Sequence, residues 1–284
     1  MNKINYSKDY KWNQWLAGLI DGDGCFETSN KSSIAQFSLT MHSSDERCLY
    51  RVKQKIGGSV KPVSGARAMR LRLSSKPHIK SLVERINPFV LNSIRRSQLN
   101  IVCEKLGIEP QNTDAFSWES SYGSGLFDSD GSVVLSVKKH EAGLNLGGLE
   151  GKVERLKNAR SIQLSIKVTQ KLEENVAFMS TPFPQVQKGT ALSQKSEVDN
   201  KFGYIYLDKA QNSYYSWCIS CRSDILRFCH YNKQNPSRSV KMHRLLLIPR
   251  FYELWSKKPY NSEPNSLLKK QWFEFAEKWF KYSC

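Results

Sequence analysis

Trp15-Leu16-Ala17-Gly18-Leu19-Ile20-Asp21-Gly22-Asp23-Gly24 returns, in altered form, as Tyr122-Gly123-Ser124-Gly125-Leu126-Phe127-Asp128-Ser129-Asp130-Gly131. Gly18 falls on Gly125, Asp21 on Asp128, Asp23 on Asp130 and Gly24 on Gly131, at a constant offset of 107 residues. Similarity at a fixed offset marks a duplicated unit, and the segments downstream of the two copies correspond too. The alternating run 36–41 is answered by 162–168, and Leu71-Arg72-Leu73-Ser74 by Trp217-Cys218-Ile219-Ser220. Ile86-Asn87-Pro88-Phe89 leads to Arg95 and Arg96; Gln234-Asn235-Pro236 leads to Lys241, His243 and Arg244.

Each unit reads as helix, two strands, helix, two strands, helix, so the expected class is α+β. The first unit is assigned to residues 1–107, a linker to 108–117 around Pro110, and the second unit to 118–284. Within the first, Ser43 and Glu46 have capping-box spacing, and Leu49, Val52 and Ile56 recur at helical period. Met69, Leu71 and Leu73 alternate with Arg70 and Arg72, which describes a strand with one apolar and one basic face. The Gly-rich stretch 139–158 and the polar stretch 180–201 have no match in the first unit and read as surface loops. Residues 261–284 read as an amphipathic helix closing the second unit.

The chain's 284 residues carry 43 Lys and Arg against 26 Asp and Glu, a formal charge of +17. That excess attracts polyanions, of which nucleic acid is the commonest; a ribosome-bound or simply basic protein has the same charge signature. No apolar run approaches the roughly 20 residues of a membrane span. Residues 1–12 lack the apolar core of a secretory signal and the Arg richness of a transit peptide, so the chain is expected to work where it is made. Seven scattered cysteines suit a reducing compartment. Cys218, Cys221, Cys229 and His230 invite a zinc reading, but strand residues three apart face opposite ways, so thiols without metal are the expectation.

Each motif is a helix closed by Asp-x-Asp-Gly. Gly24 and Gly131 suit a left-handed helix-ending turn. Ala17, Gly18, Ser124 and Gly125 let two helices approach closely, which brings Asp23 and Asp130 together near the negative ends of two helix dipoles. Two such ends repel unless a cation lies between them. Oxygen donors of this kind suit Mg²⁺, with Mn²⁺ or Ca²⁺ as ions the same oxygens accept. One copy alone is as well explained by an ordinary acidic turn; two in register favour a site.

Residues 16–24 resemble the signature of the LAGLIDADG family of homing endonucleases, with Gly22 at the seventh position as the one change. The copy at 123–131 is degenerate at its first, second, fifth and seventh positions. The resemblance extends over about residues 11–247. It implies a single-chain monomer of two pseudo-symmetric αββαββα units, whose four-stranded antiparallel sheets form a saddle over DNA. It further implies Asp23 and Asp130 as metal ligands, helped by the carbonyls of Gly22 and Ser129, with Asp21 and Asp128 structural. Gln170 in the second unit and the basic residues Lys241 and Arg95 are the implied neighbours of the scissile phosphates. The position matching Gln170 is Met41, a departure, with His42 or Ser43 as substitutes. Phosphate contact or a solvated helix end is the plain alternative for Lys241 and Arg95.

Strand alternation nominates the base-reading residues. They are Glu27, Ser29, Lys31, Gln36, Ser38, Thr40, Arg70 and Arg72 in the first unit. In the second they are Ser132, Ser136, Lys138, Gln163, Ser165 and Lys167. Arg reads guanine and Gln adenine in the major groove; a solvent-facing sheet is the alternative. The implied activity is hydrolysis of one phosphodiester per strand of a long, imperfectly symmetric duplex, leaving short 3′ overhangs. The implied origin is an organellar or microbial intron, with the product in the organelle, or in the cytoplasm or nucleoid of a microbe. The rival reading is an RNA maturase that assists its intron RNA after losing cleavage. A regulator on the same fold is a further one, but no helix-turn-helix appendage is evident.

Overall fold

The computed structural model describes residues 6–27, 35–137, 148–183, 201–209 and 213–281, with side chains from residue 9 onward. In the first unit α1 (Tyr6–Asp23) runs straight into β1 (Gly24–Glu27), followed by β2 (Gln36–His42) and α2 (Glu46–Ile56). Then come β3 (Ser59–Pro62), β4 (Ala68–Leu73), α3 (Lys76–Ile86) and α4 (Ser93–Leu106). The second unit opens with α5 (Tyr122–Asp130), β5 (Gly131–Val137), α6 (Gly148–Lys157), β6 (Ile162–Gln170) and α7 (Glu174–Ala177). It continues with β7 (Tyr204–Asp208), β8 (Tyr214–Ile219), α8 (Arg222–Gln234), α9 (Lys241–Ser256) and α10 (Leu267–Lys281).

The sheets are ordered β1-β2-β4-β3 and β5-β6-β8-β7, antiparallel throughout. The same order at the same positions is what duplication requires. Ladder register fixes the equivalences. Gly24 faces Leu39 and Gly131 faces Val168, so Met41 and Gln170 are counterparts. Arg70 and Arg72 correspond to Ser216 and Cys218, and Ser59 and Lys61 to Tyr204 and Tyr206.

Four expectations change. In each unit the closing helix of the repeat is two helices, because Asn87-Pro88 and Asn235-Pro236 separate α3 from α4 and α8 from α9. A proline lacks the N–H that would carry one helix through. Part of the stretch 139–158 is α6, whose Leu156 is buried and whose Lys157 carbonyl accepts the Trp272 indole N–H of α10 (3.1 Å). The Ser43–Glu46 capping box does not form. Residues 43–45 make a 3-10 turn capped by His42 Nδ1, and Asp45 points across to the other unit. Neither Gly24 nor Gly131 is left-handed; Gly131 has φ −79° and ψ 154°. They are glycines because a Cβ would run into the preceding helical turn, at Ile20 and at Phe127.

α1 and α5 lie side by side at the centre. A Cβ on Gly18 would overlap the Tyr122 carbonyl, and one on Gly125 the Trp15 carbonyl. The helices therefore meet backbone to backbone, with Trp15, Leu16, Leu19, Leu126 and Phe127 buried around the seam. Residues 108–117 carry no helix or strand and are tied down by Arg96, which donates to the Gln111 carbonyl (2.5 Å) and Thr113 Oγ1 (2.5 Å).

Candidate active site

The sixth motif position is a cross-lock. The Tyr122 hydroxyl of α5 donates to Asp21 Oδ2 (2.6 Å), and the Trp15 indole of α1 donates to Asp128 Oδ2 (2.8 Å). Trp15 and Tyr122 occupy the same motif position, so each helix bonds the other's aspartate. Asp21 also accepts the amides of Leu91 (2.7 Å) and Asn92 (2.9 Å), which start α4. Asp128 accepts the amides of Arg238 (2.7 Å) and Ser239 (3.1 Å), the Ser239 hydroxyl (2.5 Å) and the Ser237 hydroxyl, just before α9. Both carboxylates are about 1% exposed. Such donors stabilise a buried carboxylate, each by roughly 1.5–3 kcal/mol. A second exchange joins the units: Val240 N donates to Asp45 (2.7 Å) and Ser93 N to Asn175 (2.9 Å).

These bonds hold the eighth-position aspartates at the helix ends. The Asp130 carboxylate and the Ser129 hydroxyl fill the place where a side chain on Gly22 would stand, which explains glycine there. Burial, then the charge of Asp130, pushes Asp23 up to about 7. Burial also raises Asp130, against Lys241, Gln170, Ser129 and Arg95. Two buried carboxylates that repel one another are a site in want of positive charge, and their oxygens suit a hard divalent cation. Among the described residues no group of three or more His, Cys, Asp or Glu gathers. The donor set would thus be the two aspartates with carbonyl and water oxygens. Part of the positive charge comes from the chain itself: Lys241 Nζ donates to the carbonyls of Ser129 (2.5 Å) and Phe127 (3.4 Å). The Ser129 carbonyl, a ligand implied by the resemblance, is held by that ammonium.

Around Asp130 opens a cleft of about 380 Å³, lined by Asp21, Gly22, Asn92, Ile94, Arg95 and Gln170 among others. Gln170, the last residue of β6 and 8% exposed, donates to Asp130 Oδ2 (2.7 Å). Its own oxygen accepts from Asn92 Nδ2 (3.3 Å), and Asn92 Oδ1 caps α4 through the amides of Ile94 (3.0 Å) and Arg95 (3.2 Å). Asn92 was not a candidate from sequence; its position just before a helix, a favoured cap, was the available signal. On the other side, Met41 is buried and His42 caps its own turn, so no side chain matching Gln170 approaches Asp23 from β2.

The pairing of Lys241 with Arg95 shifts by one residue. Amides 91, 92 and 93 bond as amides 238, 239 and 240 do, so Lys241 is matched by Ile94. Arg95 still lines the cleft; it donates to Gln98 (3.2 Å), and among the described residues its Nε has no partner.

Of the base-reading candidates, Gln36, Ser38, Thr40, Arg70 and Arg72 share the open face of the first sheet, with Glu27 exposed beside Gln36. Arg70 Nε donates to Thr40 Oγ1 (2.9 Å). In the second sheet Ser132, Ser136, Gln163 and Lys167 are open or half open. Ser165 is not: it is 6% exposed, its short side chain sunk in the ladder between Gln163 and Lys167. Ser29, Lys31 and Lys138 lie outside the described residues. Sequence reasoning passed over the edge strands, where Lys61, Tyr204 and Tyr206 lie on the same faces. Cys218 is buried in β8, and the Cys221 thiol caps α8 by accepting Asp224 N (3.4 Å).

The profile of the LAGLIDADG endonuclease family matches residues 16–105. A probable intron-encoded endonuclease aI2 of Debaryomyces hansenii is 36% identical over 95% of this chain and 38% of its own length. An intron-encoded RNA maturase bI4 of Saccharomyces cerevisiae is 34% identical over 98% of this chain and 39% of its own. The chain thus spans under two fifths of these relatives. Among solved structures, the meganuclease I-SmaMI on uncleaveable DNA superposes with a TM-score of 0.60 at 15% identity, covering 94% of this chain and 98% of that one. The homing endonuclease I-GzeII with its DNA target gives 0.60 at 12% identity, covering 93% and 97%. With the signature helix in the matched segment, a degenerate second copy at its side and the same fold around both, the chain belongs to the LAGLIDADG endonuclease family.

Proposed function

We propose that the chain is a monomeric, site-specific endonuclease that binds a long, imperfectly palindromic DNA duplex and hydrolyses one phosphodiester in each strand. The observation that carries this reading is the pair Asp23 and Asp130, brought together at the ends of two close-packed helices between two open sheet faces. A pure binding protein has no physical use for two buried carboxylates, one of them pushed up by the charge of the other. The excess of positive charge supports a polyanion as substrate.

Asp23 and Asp130 would hold Mg²⁺. When bound, the ion lowers the pKa of water and stabilises the departing oxyanion. The chain's own residues do the positioning. Gln170 holds Asp130 with one amide N–H, and its second would orient water. Lys241 and Arg95 would place positive charge beside the phosphates, where charge develops. The polar strand residues of the open faces would fix register through base edges and phosphates. Short 3′ overhangs, intron encoding, an organellar or microbial setting, and units spanning 1–107 and 118–284 across the linker 108–117 belong to the same proposal.

The test is cleavage of a randomised duplex library with Mg²⁺, with EDTA and Asp23→Asn as controls. Cutting at one long site, lost in both controls, is the expected result; binding without cutting would sink the nuclease reading. One observation favours a second reading, an intron RNA maturase: a relative of that name is nearly as similar as the endonuclease. Splicing help that survives Asp23→Asn would identify it.

A further inference from the structure

The open faces of the two sheets, equivalent in backbone, differ in chemistry. Where the first has Ser59, Lys61, Arg70 and Arg72, the second has Tyr204, Tyr206, Ser216 and Cys218. Tyr204 and Tyr206 are two apart on the edge strand β7 and so point the same way. Their rings are neighbours, with centroids 6.0 Å apart and planes 37° apart. Both hydroxyls are spent inward. Lys167 Nζ of β6, two strands away, donates to the Tyr206 hydroxyl (2.7 Å), and the Tyr204 hydroxyl bonds to Cys218 and Ser220 next to it. The rings therefore lie across β8, tethered at their tips, and Tyr204 is still 50% exposed.

A tethered ring of this kind is badly placed to read a duplex. Base pairs in the major groove offer edges to hydrogen-bonding tips, and these tips are already occupied. What the rings offer is a flat π face, which an unpaired base stacks on. Lys201 and Lys209, exposed just outside the two ends of β7, supply charge for the flanking phosphates, and Lys167 sits over the Tyr206 ring (5.3 Å).

We propose that Tyr204 and Tyr206 form a stacking platform for unpaired nucleobases of a single-stranded nucleic acid segment. The proposal rests on the chain's being a nucleic-acid-binding protein, but not on its cutting DNA.

The experiment is fluorescence anisotropy of the full chain with three labelled probes: a 12-nucleotide mixed-sequence RNA, the same sequence as single-stranded DNA, and its DNA duplex. Wild type is compared with Tyr204→Ala/Tyr206→Ala and with Tyr204→Phe/Tyr206→Phe, after thermal melts show that each variant folds. The expected result is a loss of about tenfold or more for single strands in the alanine variant, as removal of stacked aromatics gives. The phenylalanine variant should stay within about twofold, since the π faces remain, and the alanine variant should lose clearly less on the duplex than on either single strand. A preference for RNA over single-stranded DNA would name the source as RNA, and the reverse as DNA. Equal loss on the duplex, loss in the phenylalanine variant alone, or unchanged single-strand binding would each overturn the platform. Absence of binding to all three probes would overturn the wider reading with it.

Discussion

Two corners meet at the centre of this molecule, and they are unequal. The corner around Asp130 has Gln170, oriented by Asn92, with Arg95 nearby and Ile94 where a lysine stands in the other unit. The corner around Asp23 has Met41 in place of the glutamine, while Lys241 bonds the end of α5 and its charge acts on Asp23. The frame beneath them is nearly symmetric: Trp15 and Tyr122, Gly18 and Gly125, Asp21 and Asp128 act as matched pairs. Duplication has kept what holds the halves together and relaxed what does chemistry in each. In the proposed nuclease a shared central pair would tolerate this, because each aspartate would serve the whole site and each polar neighbour only its own corner.

The sharpest break in the comparison would be an aspartate that can be spared. Asp23→Asn and Asp130→Asn should each lower cleavage of both strands by about 10³-fold or more, roughly 4 kcal/mol of barrier; plasmid nicking and linearisation assays read this directly. Next comes the frame. Gly125→Ala should cost about 2–3 kcal/mol or more, since the added methyl meets backbone at Trp15 with no room to turn away. Denaturant unfolding measures it, and a neutral result would mean that the two helices do not touch through main chain. Within the corners, Gln170→Ala and Lys241→Ala should each slow cutting about 10–100-fold, and unequally for the two strands, so nicked product accumulates. Equal slowing would refute local roles.

The same pair produces a pH effect. Asp23 titrates near 4 in an unfolded chain but is pushed up to about 7 here by burial and by Asp130. The folded state therefore holds a proton that the unfolded state gives up. That contribution to stability is fully present below about pH 4 and is lost as pH rises to about 7. Melts of metal-free protein should fall across that window, less steeply in Asp23→Asn, and Mg²⁺ should recover stability at pH 8 by binding the folded form. The smallest effect is reserved for repair. Met41→Gln should speed the slower strand a few-fold and shrink the nicked intermediate, if the first corner lacks only that amide.

Much of this was legible in the sequence, for identifiable reasons. The motif helices are uninterrupted, so their 107-residue offset is exact and Asp23, Asp130 and the glycine seam align by inspection. The ladders are legible because alternation is local, and the match of Met41 with Gln170 agrees with the register. Farther along, insertions change the offset, to 129 at Thr40 and Thr169 and to 147 at Asn92 and Ser239. The basic clusters after each Asn-Pro and the family resemblance point to Arg95 as the counterpart of Lys241, whereas the amides bonded to Asp21 and Asp128 set the count one residue earlier. The role of Asp45 was not legible because its partner, Val240, is 195 residues away. The helix α6 was hidden by glycines, and its burial depends on α10, which no local pattern could reveal.

The glycine seam has a consequence for inheritance. Because the halves touch through main chain, with their indole and phenol locks crossing between them, the unit that can be exchanged with a related protein is a whole face and not a helix. A recombinant that swaps everything beyond α1 and α5 leaves the spine intact and would acquire a new set of the proposed base contacts. One that cuts between Trp15 and Gly18 separates a lock from its seam. In the proposed endonuclease, target preference would thus change one half at a time while the spine stays the same.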